Sequence, residues 1–279
     1  MDLMTEILPL VALLASLGAV AGFLAGLLGI GGGIILVPGL YAVFTFLQPN
    51  MGFDVTHLMH LSVGTSLAII IPTGFSSALA HHKRGSVDFN MVKMIGGGII
   101  VGVIFSTWVV QGLDAMSMKM IFASAILVLA IIMIANPARF QVSTEEPRQP
   151  FSALAGFVIG GLSTLIGIGG ATLSVPYLSL HGVPMHRAVA SASAMGLVIA
   201  VPAAIGFMII GSGQNNLPPF SVGYVNFVAW IAIIPVSVSV APLGVRVAHK
   251  ISVKRLKVTF AVFMVVVALN MWRKILLGE

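Results

Sequence analysis

The sequence predicts an all-α integral membrane protein of two inverted-topology repeats, each a glycine-broken helical hairpin followed by three transmembrane helices. Of its 279 residues, 58% are hydrophobic and 8% are charged, whereas a soluble domain carries roughly a quarter charged residues. Several apolar runs reach about twenty residues, the length that crosses a bilayer. An internal repeat divides the chain into a first membrane repeat at 1–140, a cytoplasmic linker at 141–150 and a second repeat at 151–279.

The repeat is visible as one glycine motif that occurs twice. Gly29-Ile30-Gly31-Gly32 recurs as Gly167-Ile168-Gly169-Gly170, and the offset of 138 also relates Val37-Pro38 to Val175-Pro176. Such a repeat predicts two structurally equivalent halves.

Between these blocks the offset falls to 126, which pairs His60 with His186. We therefore expect a loop near 41–55 that is twelve residues longer in the first half (138 minus 126), and a longer loop near 209–220 in the second.

Each half is predicted to contain two apolar arms around the glycine break and then three spans. The arms of the second hairpin are too short to cross about 30 Å of hydrocarbon upright, so we expect it to be re-entrant or strongly tilted and buried in protein. The predicted arms are Ile7–Leu28 with Ile34–Leu47 and Phe151–Ile166 with Ala171–Leu180; the predicted spans are His57–Leu79, Met91–Gln111, Ser117–Ala135, His186–Ile210, Tyr224–Val247 and Leu256–Leu277.

The distribution of Lys and Arg predicts the orientation. Basic residues concentrate in cytoplasmic loops, and one choice of side places eleven of the fourteen in the cytoplasm, with both termini periplasmic. The halves then have opposite orientations, as in many secondary transporters. The eleven are Lys83, Arg84, Lys93, Arg139, Arg148, Arg187, Arg246, Lys250, Lys254, Arg255 and Lys257.

The predicted spans contain no deeply placed Asp or Glu. Cation-coupled transporters usually place costly carboxylates at mid-membrane, so a cation substrate is disfavoured. An anion can instead be held by backbone amides at helix N-termini. The breaks at Gly31, Gly32 and Gly33 and at Gly169 and Gly170 would supply these amides, and glycine lets a ligand approach closely. The alternative is that these glycines only allow close helix packing.

Hydroxyl groups follow the breaks and are candidate donors to the same anion. They belong to Thr65, Ser66, Thr172 and Ser191, although such hydroxyls often bond carbonyls of their own helix. His60 and His186 are interpreted as polar helix starts, with a titrating pair as the alternative.

Other chemistries lack their motifs. The chain contains no cysteine, no Gly-Lys-Ser or Gly-Lys-Thr and no Gly-x-Ser-x-Gly, which argues against thiol chemistry, ATP hydrolysis and a serine hydrolase. No acidic residue accompanies the histidines, which argues against a metal site. We expect no cofactor, no metal and no enzymatic activity. The net charge is +6, but the basic residues lie between the predicted spans, where they set orientation, so nucleic acid is not an expected partner.

These residues carry a resemblance to a known family. The stretch Gly22 to Gly33, followed by Leu36-Val37-Pro38, resembles the N-terminal signature of the TauE/SafE sulfite exporter family, and Gly64-Thr65-Ser66 resembles its second motif. Weaker copies are Gly167 to Pro176 and Ala190-Ser191-Ala192. The second half departs from the pattern at Ala171, which replaces the glycine found at Gly33.

The resemblance implies a transporter, most simply an exporter, of sulfite or an organosulfonate. We expect alternating access in a bacterial inner membrane, driven by the substrate gradient or by protons. An anion channel and a non-transporting membrane scaffold are the alternatives. The expected partners are a small anion and the lipid bilayer, and a homodimer is left open as an alternative to a monomer.

Overall fold

The computed structural model describes residues 3–28, 32–135, 149–248 and 253–277. Gly31, linker residues 141–148 and the extreme terminal residues, on which sequence predictions fall, lie outside this part. Within it the helices are α1 (Leu3–Leu28), α2 (Gly33–Met51), α3 (Leu58–Lys83), α4 (Phe89–Gln111), α5 (Ala115–Ala135), α6 (Phe151–Ile166), α7 (Ala171–Leu180), α8 (Met185–Ile210), α9 (Phe227–Ala248) and α10 (Val253–Leu277). A 3-10 turn covers Val55–His57, and β1 (Ser221–Val222) pairs antiparallel with β2 (Val225–Asn226).

The prediction of an all-α membrane protein is confirmed. Six helices in the described part, α3, α4, α5, α8, α9 and α10, are long and apolar enough to cross a bilayer. The ten residues of α7 extend roughly 15 Å at the α-helical rise, about half of the hydrocarbon thickness. That length agrees with the expectation of a re-entrant second hairpin, which stays a prediction.

Most helix ends differ from the sequence interpretation by a few residues, and at two places the difference changes the assignment of a segment. The predicted loop near 41–55 is wrong for most of its length, because α2 continues to Met51 and has 19 residues against 10 in α7. Residues 41–48 are mainly apolar and contain no glycine, and the helix ends only where Gly52 adopts a φ of 67°. The predicted span from Tyr224 is also too long, since the strand β2 precedes α9 and the helix begins at Phe227.

The helices pack in pairs that correspond between the two halves. α1 packs on α9 and α6 packs on α4, while α3 packs on α8 and α5 packs on α10. In the repeat, α1 corresponds to α6 and α4 to α9, so the pair α1 with α9 is equivalent to the pair α6 with α4. The pairs α3 with α8 and α5 with α10 each join two corresponding helices. This is the pattern that two equivalent halves predict, whereas their opposite orientation in a bilayer stays a prediction.

Glycines bring the first two helix pairs into backbone contact. A Cβ on Gly18 would lie 2.9 Å from the carbonyl oxygen of Ile233. The equivalent contact joins Gly156 to Ile95. Gly156 corresponds to Gly18 and Ile95 corresponds to Ile233, each at an offset of 138. The same relation holds for Gly22 with Ser237 and for Gly160 with Ile99.

The N-terminal half of α3 lies at the centre of the molecule. Every residue from Leu58 to Ile70 is buried, which is the expected state of a helix enclosed by other helices. The polar residues of this segment therefore meet protein on all sides, and they include Thr65 and Ser66, both fully buried.

Candidate functional site

The second glycine break is a sharp end of one helix followed by the start of another. Gly167 has a φ of 72°, a left-handed conformation that glycine adopts at little cost. The amide of Ile168 donates to the carbonyl oxygen of Ser163 at 3.0 Å, which closes the end of α6. Three residues later the chain enters α7 at Ala171.

The first break leads into α2 in a similar way. Gly32 is the N-cap residue of that helix, and its carbonyl oxygen accepts from the amide of Leu36 at 2.9 Å. Gly33 is the first helical residue. Gly31 lies outside the described residues, so its predicted role as a ligand remains a prediction from sequence.

The two breaks meet in the interior. A Cβ on Gly33 would lie 2.7 Å from the carbonyl oxygen of Gly167 and 2.8 Å from the Cα atom of Ile168. The hydroxyl of Ser66 donates to that same carbonyl oxygen of Gly167 at 2.8 Å. The glycine motifs of the two halves, 138 positions apart in sequence, thus form one structural unit.

The helix starts at this unit present backbone amides. In α7 the first helical hydrogen bond runs from the amide of Ser174 to the carbonyl oxygen of Gly170 at 2.9 Å. The first turn of α7 therefore begins with amides that make no intrahelical hydrogen bond, as at Ala171 and Leu173, and these amides carry the positive end of the helix dipole. Neighbouring side chains at the breaks are apolar, including those of Val37, Val63 and Ile70. Such an environment favours an anion over a cation.

The glycines of the unit differ in the space beside them. A Cβ on Gly170 would lie 2.8 Å from the backbone nitrogen of Gly196, so this glycine is required for packing. A Cβ on Gly32 would lie 3.5 Å from its closest neighbour, and one on Gly169 would lie 3.7 Å from Ile70. These are ordinary contacts, and among the predicted site glycines that the structure describes, these two have room for a methyl group.

Comparison with known proteins gives the family. The family model described as "Sulfite exporter TauE/SafE" matches residues 14–271. A "Probable membrane transporter protein" of Haemophilus influenzae is 35% identical over 257 residues, covering 92% of this chain and 96% of the relative. A probable membrane transporter protein of Methanocaldococcus jannaschii is 29% identical over 272 residues, covering 95% and 97%. The probable membrane transporter protein YunE of Bacillus subtilis is 28% identical over 275 residues, covering 91% and 94%.

The chain belongs to the TauE/SafE family. The resemblance read from the glycine motifs is thereby confirmed, and the chain is a multi-pass membrane transporter and not an enzyme. The remaining predicted site residues of this TauE/SafE transporter are Thr65, Ser191 and Thr172.

Thr65 and Ser191 hold the starts of two helices. The hydroxyl oxygen of Thr65 accepts from the amide of Asn226, which caps α9, at 2.9 Å. The hydroxyl oxygen of Ser191 accepts from the amide of Asp88, which caps α4, at 3.0 Å. Each hydroxyl retains a proton to donate. Thr172 lies in the first turn of α7, beside the second break.

Two serines that the sequence interpretation missed flank the second break. Ser163 lies in the last turn of α6 and Ser174 in the first turn of α7, and both are fully buried. Their hydroxyl oxygens have no hydrogen-bond partner in the described part of the chain, although buried hydroxyls are normally paired. The signal available in the sequence was their distance of four residues from Gly167 and from Gly170.

The histidines do not form one cluster. His60 is buried, and its ring lies 5.1 Å from that of Tyr224, whose hydroxyl lies 3.1 Å from Nδ1 of His57. His186 instead borders an open cavity with Arg84 and Asp88. Among the described residues no group of three or more His, Asp or Glu could hold a metal ion.

Asp88 connects several elements at that cavity. Its carboxylate accepts from the amides of Asn90 and Met91 at 3.0 and 3.1 Å and pairs with the guanidinium of Arg187. The bond from the Met91 amide and the pairing with Arg187 hold the pKa of Asp88 below its ordinary value. The carboxylate is therefore ionised at neutral pH.

Proposed function

We propose that the protein is a secondary transporter that exports a small sulfur-containing oxyanion, sulfite or an organosulfonate, by alternating access. The observation that carries this proposal is the contact of the two glycine breaks. Gly33 lies against Gly167 and Ile168, so two helix starts from opposite halves of the chain converge in an apolar interior. The membrane is a bacterial inner membrane, with both termini periplasmic.

The proposed ligands are donors without a formal charge. Amide groups at helix N-termini bind oxyanions because they combine N–H donors with the positive end of the dipole. Hydroxyl protons of Thr65 and Ser191 remain available, and Ser66 fixes the position of Gly167. Ser163 and Ser174 add buried hydroxyls that have no hydrogen-bond partner among the residues that the structure describes. The set predicted from the sequence is Gly31, Gly32, Gly33, Thr65, Ser66, Gly169, Gly170, Thr172 and Ser191. Ser66 acts in it by holding Gly167, because its single proton is donated to the carbonyl oxygen of that residue.

The substrate class follows from two lines of support. No carboxylate is among the atoms nearest to the break glycines that the structure describes, which suits an anion. The matched family is described by sulfite export, and sulfite and sulfonates each present three oxygen acceptors. A site made of amides and hydroxyls can satisfy these oxygens in a single compact arrangement.

The proposed movement uses the correspondence between the halves. α3 and α8 pack on each other at the centre and carry Ser66 and Ser191. Rocking of one half against the other around this contact would expose the breaks first to one side and then to the other, as in transporters built from inverted repeats.

The test is sulfite flux in proteoliposomes with Gly32→Ala and Gly169→Ala. The neighbouring protein accommodates a methyl group at both positions, so melting temperature should be retained. If the ligand approaches these glycines, kcat/KM should fall at least about tenfold, which corresponds to about 1.4 kcal/mol. Gly97→Ala is the matched control, since nothing lies within 4 Å of a Cβ there.

The outcomes separate the alternatives. Unchanged kinetics in both variants would remove the breaks from the mechanism. Absence of flux in the wild-type protein, with sulfite and with organosulfonates, would favour a scaffold. Flux that does not saturate, accompanied by single-channel currents in planar bilayers, would favour a channel.

A further inference from the structure

The cavity beside α8 has none of the break glycines in its lining, although its lining residue Asp88 is hydrogen-bonded to Ser191 of the proposed glycine site. It lies between the segment that joins α3 to α4 and the first turn of α8, and its volume is about 580 Å³. In the predicted topology it opens to the cytoplasm. Its lining contains two guanidinium groups, one imidazole and one carboxylate: Arg84, Gly85, Ser86, Val87, Asp88, Phe89, Asn90, His186 and Arg187.

The single carboxylate of the cavity is already engaged. Asp88 caps α4 through its side chain, pairs with Arg187 of α8, and donates its own amide to Ser191 of α8. The residue therefore ties α4 to α8 at this end of the molecule. Arg84, which also lines the cavity, adds a second guanidinium charge to that of Arg187, with which Asp88 pairs.

The corresponding tie in the other half works without charge. Asn226, the counterpart of Asp88 at an offset of 138, caps α9 through its side-chain oxygen at 2.9 Å and donates its amide to Thr65. At an offset of 126, the position equivalent to Arg187 is Leu61. Because the neutral tie holds its helix in place, the ion pair of Asp88 and Arg187 is an addition that the anchoring itself does not require.

We propose that the cavity is an entry site for a small oxyanion. The anion binds Arg84 and displaces the carboxylate of Asp88 from its ion pair with Arg187. Guanidinium groups bind carboxylates and other oxyanions through the same paired N–H donors, so a sulfite or sulfonate group can compete with the carboxylate. Occupation of the cavity would remove the ionic part of the tie between α4 and α8. The proposal rests on the proposed anion transport and assigns its first cytoplasmic binding step.

The absence of cysteine from the chain allows a local probe of this cavity. An environment-sensitive fluorophore on Ser86→Cys would report occupancy of the lining itself, apart from any binding at the glycine breaks. A second label on Ser212→Cys, an exposed position outside the lining, is the control. The protein would be titrated with sulfite, with methanesulfonate and with chloride in phosphatidylcholine nanodiscs, with and without phosphatidylglycerol.

Four substitutions in the labelled protein give distinct expectations. Asp88→Asn preserves the helix cap, as Asn226 shows, and should lower the apparent Kd roughly two- to fivefold, the range that a half-exposed ion pair allows. Arg84→Ala should raise the Kd by at least a similar factor, and Arg84→Lys should restore part of the affinity. Lys83→Ala, outside the lining, should leave it unchanged.

The proposal is overturned if no saturable response appears at Ser86→Cys, if the Kd is the same in Asp88→Asn and Arg84→Ala as in the parent, or if the response requires phosphatidylglycerol and not the soluble anion. Its fate is distinguishable from that of the glycine site. Anion binding in the cavity without any transport would contradict the proposed function. Sulfite transport that is insensitive to Gly169→Ala would contradict the glycine site and leave the cavity proposal standing. Transport that is insensitive to Arg84→Ala would contradict the cavity proposal and leave the glycine site standing.

Discussion

The backbone amide of Asn226 donates to the hydroxyl oxygen of Thr65 across 2.9 Å, between two buried residues 161 positions apart. The same bond recurs between Asp88 and Ser191 in the other half. The offsets that relate these partners, 138 and 126, are the offsets of the sequence repeat. Thr65 and Ser191 therefore anchor the starts of α9 and α4 to the two central helices, in addition to their proposed contact with substrate.

Replacing Thr65 with Val should destabilise the protein. The substitution conserves shape but leaves the buried amide of Asn226 without its acceptor, which costs about 1–3 kcal/mol. Ser62→Ala is the control, because that hydroxyl donates only to the carbonyl oxygen of Leu58 in its own helix. Thermal unfolding in detergent should show a lower melting temperature for Thr65→Val than for Ser62→Ala. Equal melting temperatures would contradict the anchoring role.

Alanine at Gly22 or Gly160 should weaken the pairs α1 with α9 and α4 with α6. A methyl group at either position would meet the backbone of the facing helix, at Ser237 or Ile99, and overpacking costs about 1–3 kcal/mol. Gly97→Ala, which meets nothing, should be neutral or slightly stabilising. Folded yield and melting temperature measure the difference, and two variants as stable as Gly97→Ala would show that these helices can separate without loss.

Acid should remove the stability that Asp88 contributes. Its pKa is lowered in the folded protein, from an ordinary value of 3.8, so the contribution is complete above that value and is lost as pH falls through the folded pKa. The charged or titratable groups facing it are Arg187, Arg84 and His186. Asp88→Asn should flatten the dependence of melting temperature on pH below about 4. A wild-type slope retained in the variant would assign the acid sensitivity to other carboxylates.

Reporter fusions test the orientation. Alkaline phosphatase fused at Glu279 should be active, because the basic bias of the loops predicts a periplasmic C-terminus. A fluorescent reporter inserted after Gly85, in the segment between α3 and α4, should behave as cytoplasmic. The reverse pattern in both fusions would invert the molecule, and agreement of only one would refute opposed halves.

The sequence by itself determined the membrane class, the repeat and the approximate extent of each helix. These follow from local properties, since the transfer free energy of an apolar run adds up along contiguous residues and a glycine cluster interrupts a helix wherever the fold places it. The prediction of a loop at 41–55 failed because a change of repeat offset shows how many residues are inserted but not which structure they adopt. The inserted residues are mainly apolar, and they extend α2 to Met51.

Tertiary structure alone decided which polar groups meet. Thr65 finds Asn226 at a separation of 161 residues, Ser191 finds Asp88 at 103, and Asp88 finds Arg187 at 99. Tertiary structure also brings Gly33 against Gly167. It further decides which break glycines are closely packed and which have room for a methyl group. No local rule assigns these partners, because a buried hydroxyl or amide bonds whatever the packing of apolar helix faces brings within about 3 Å.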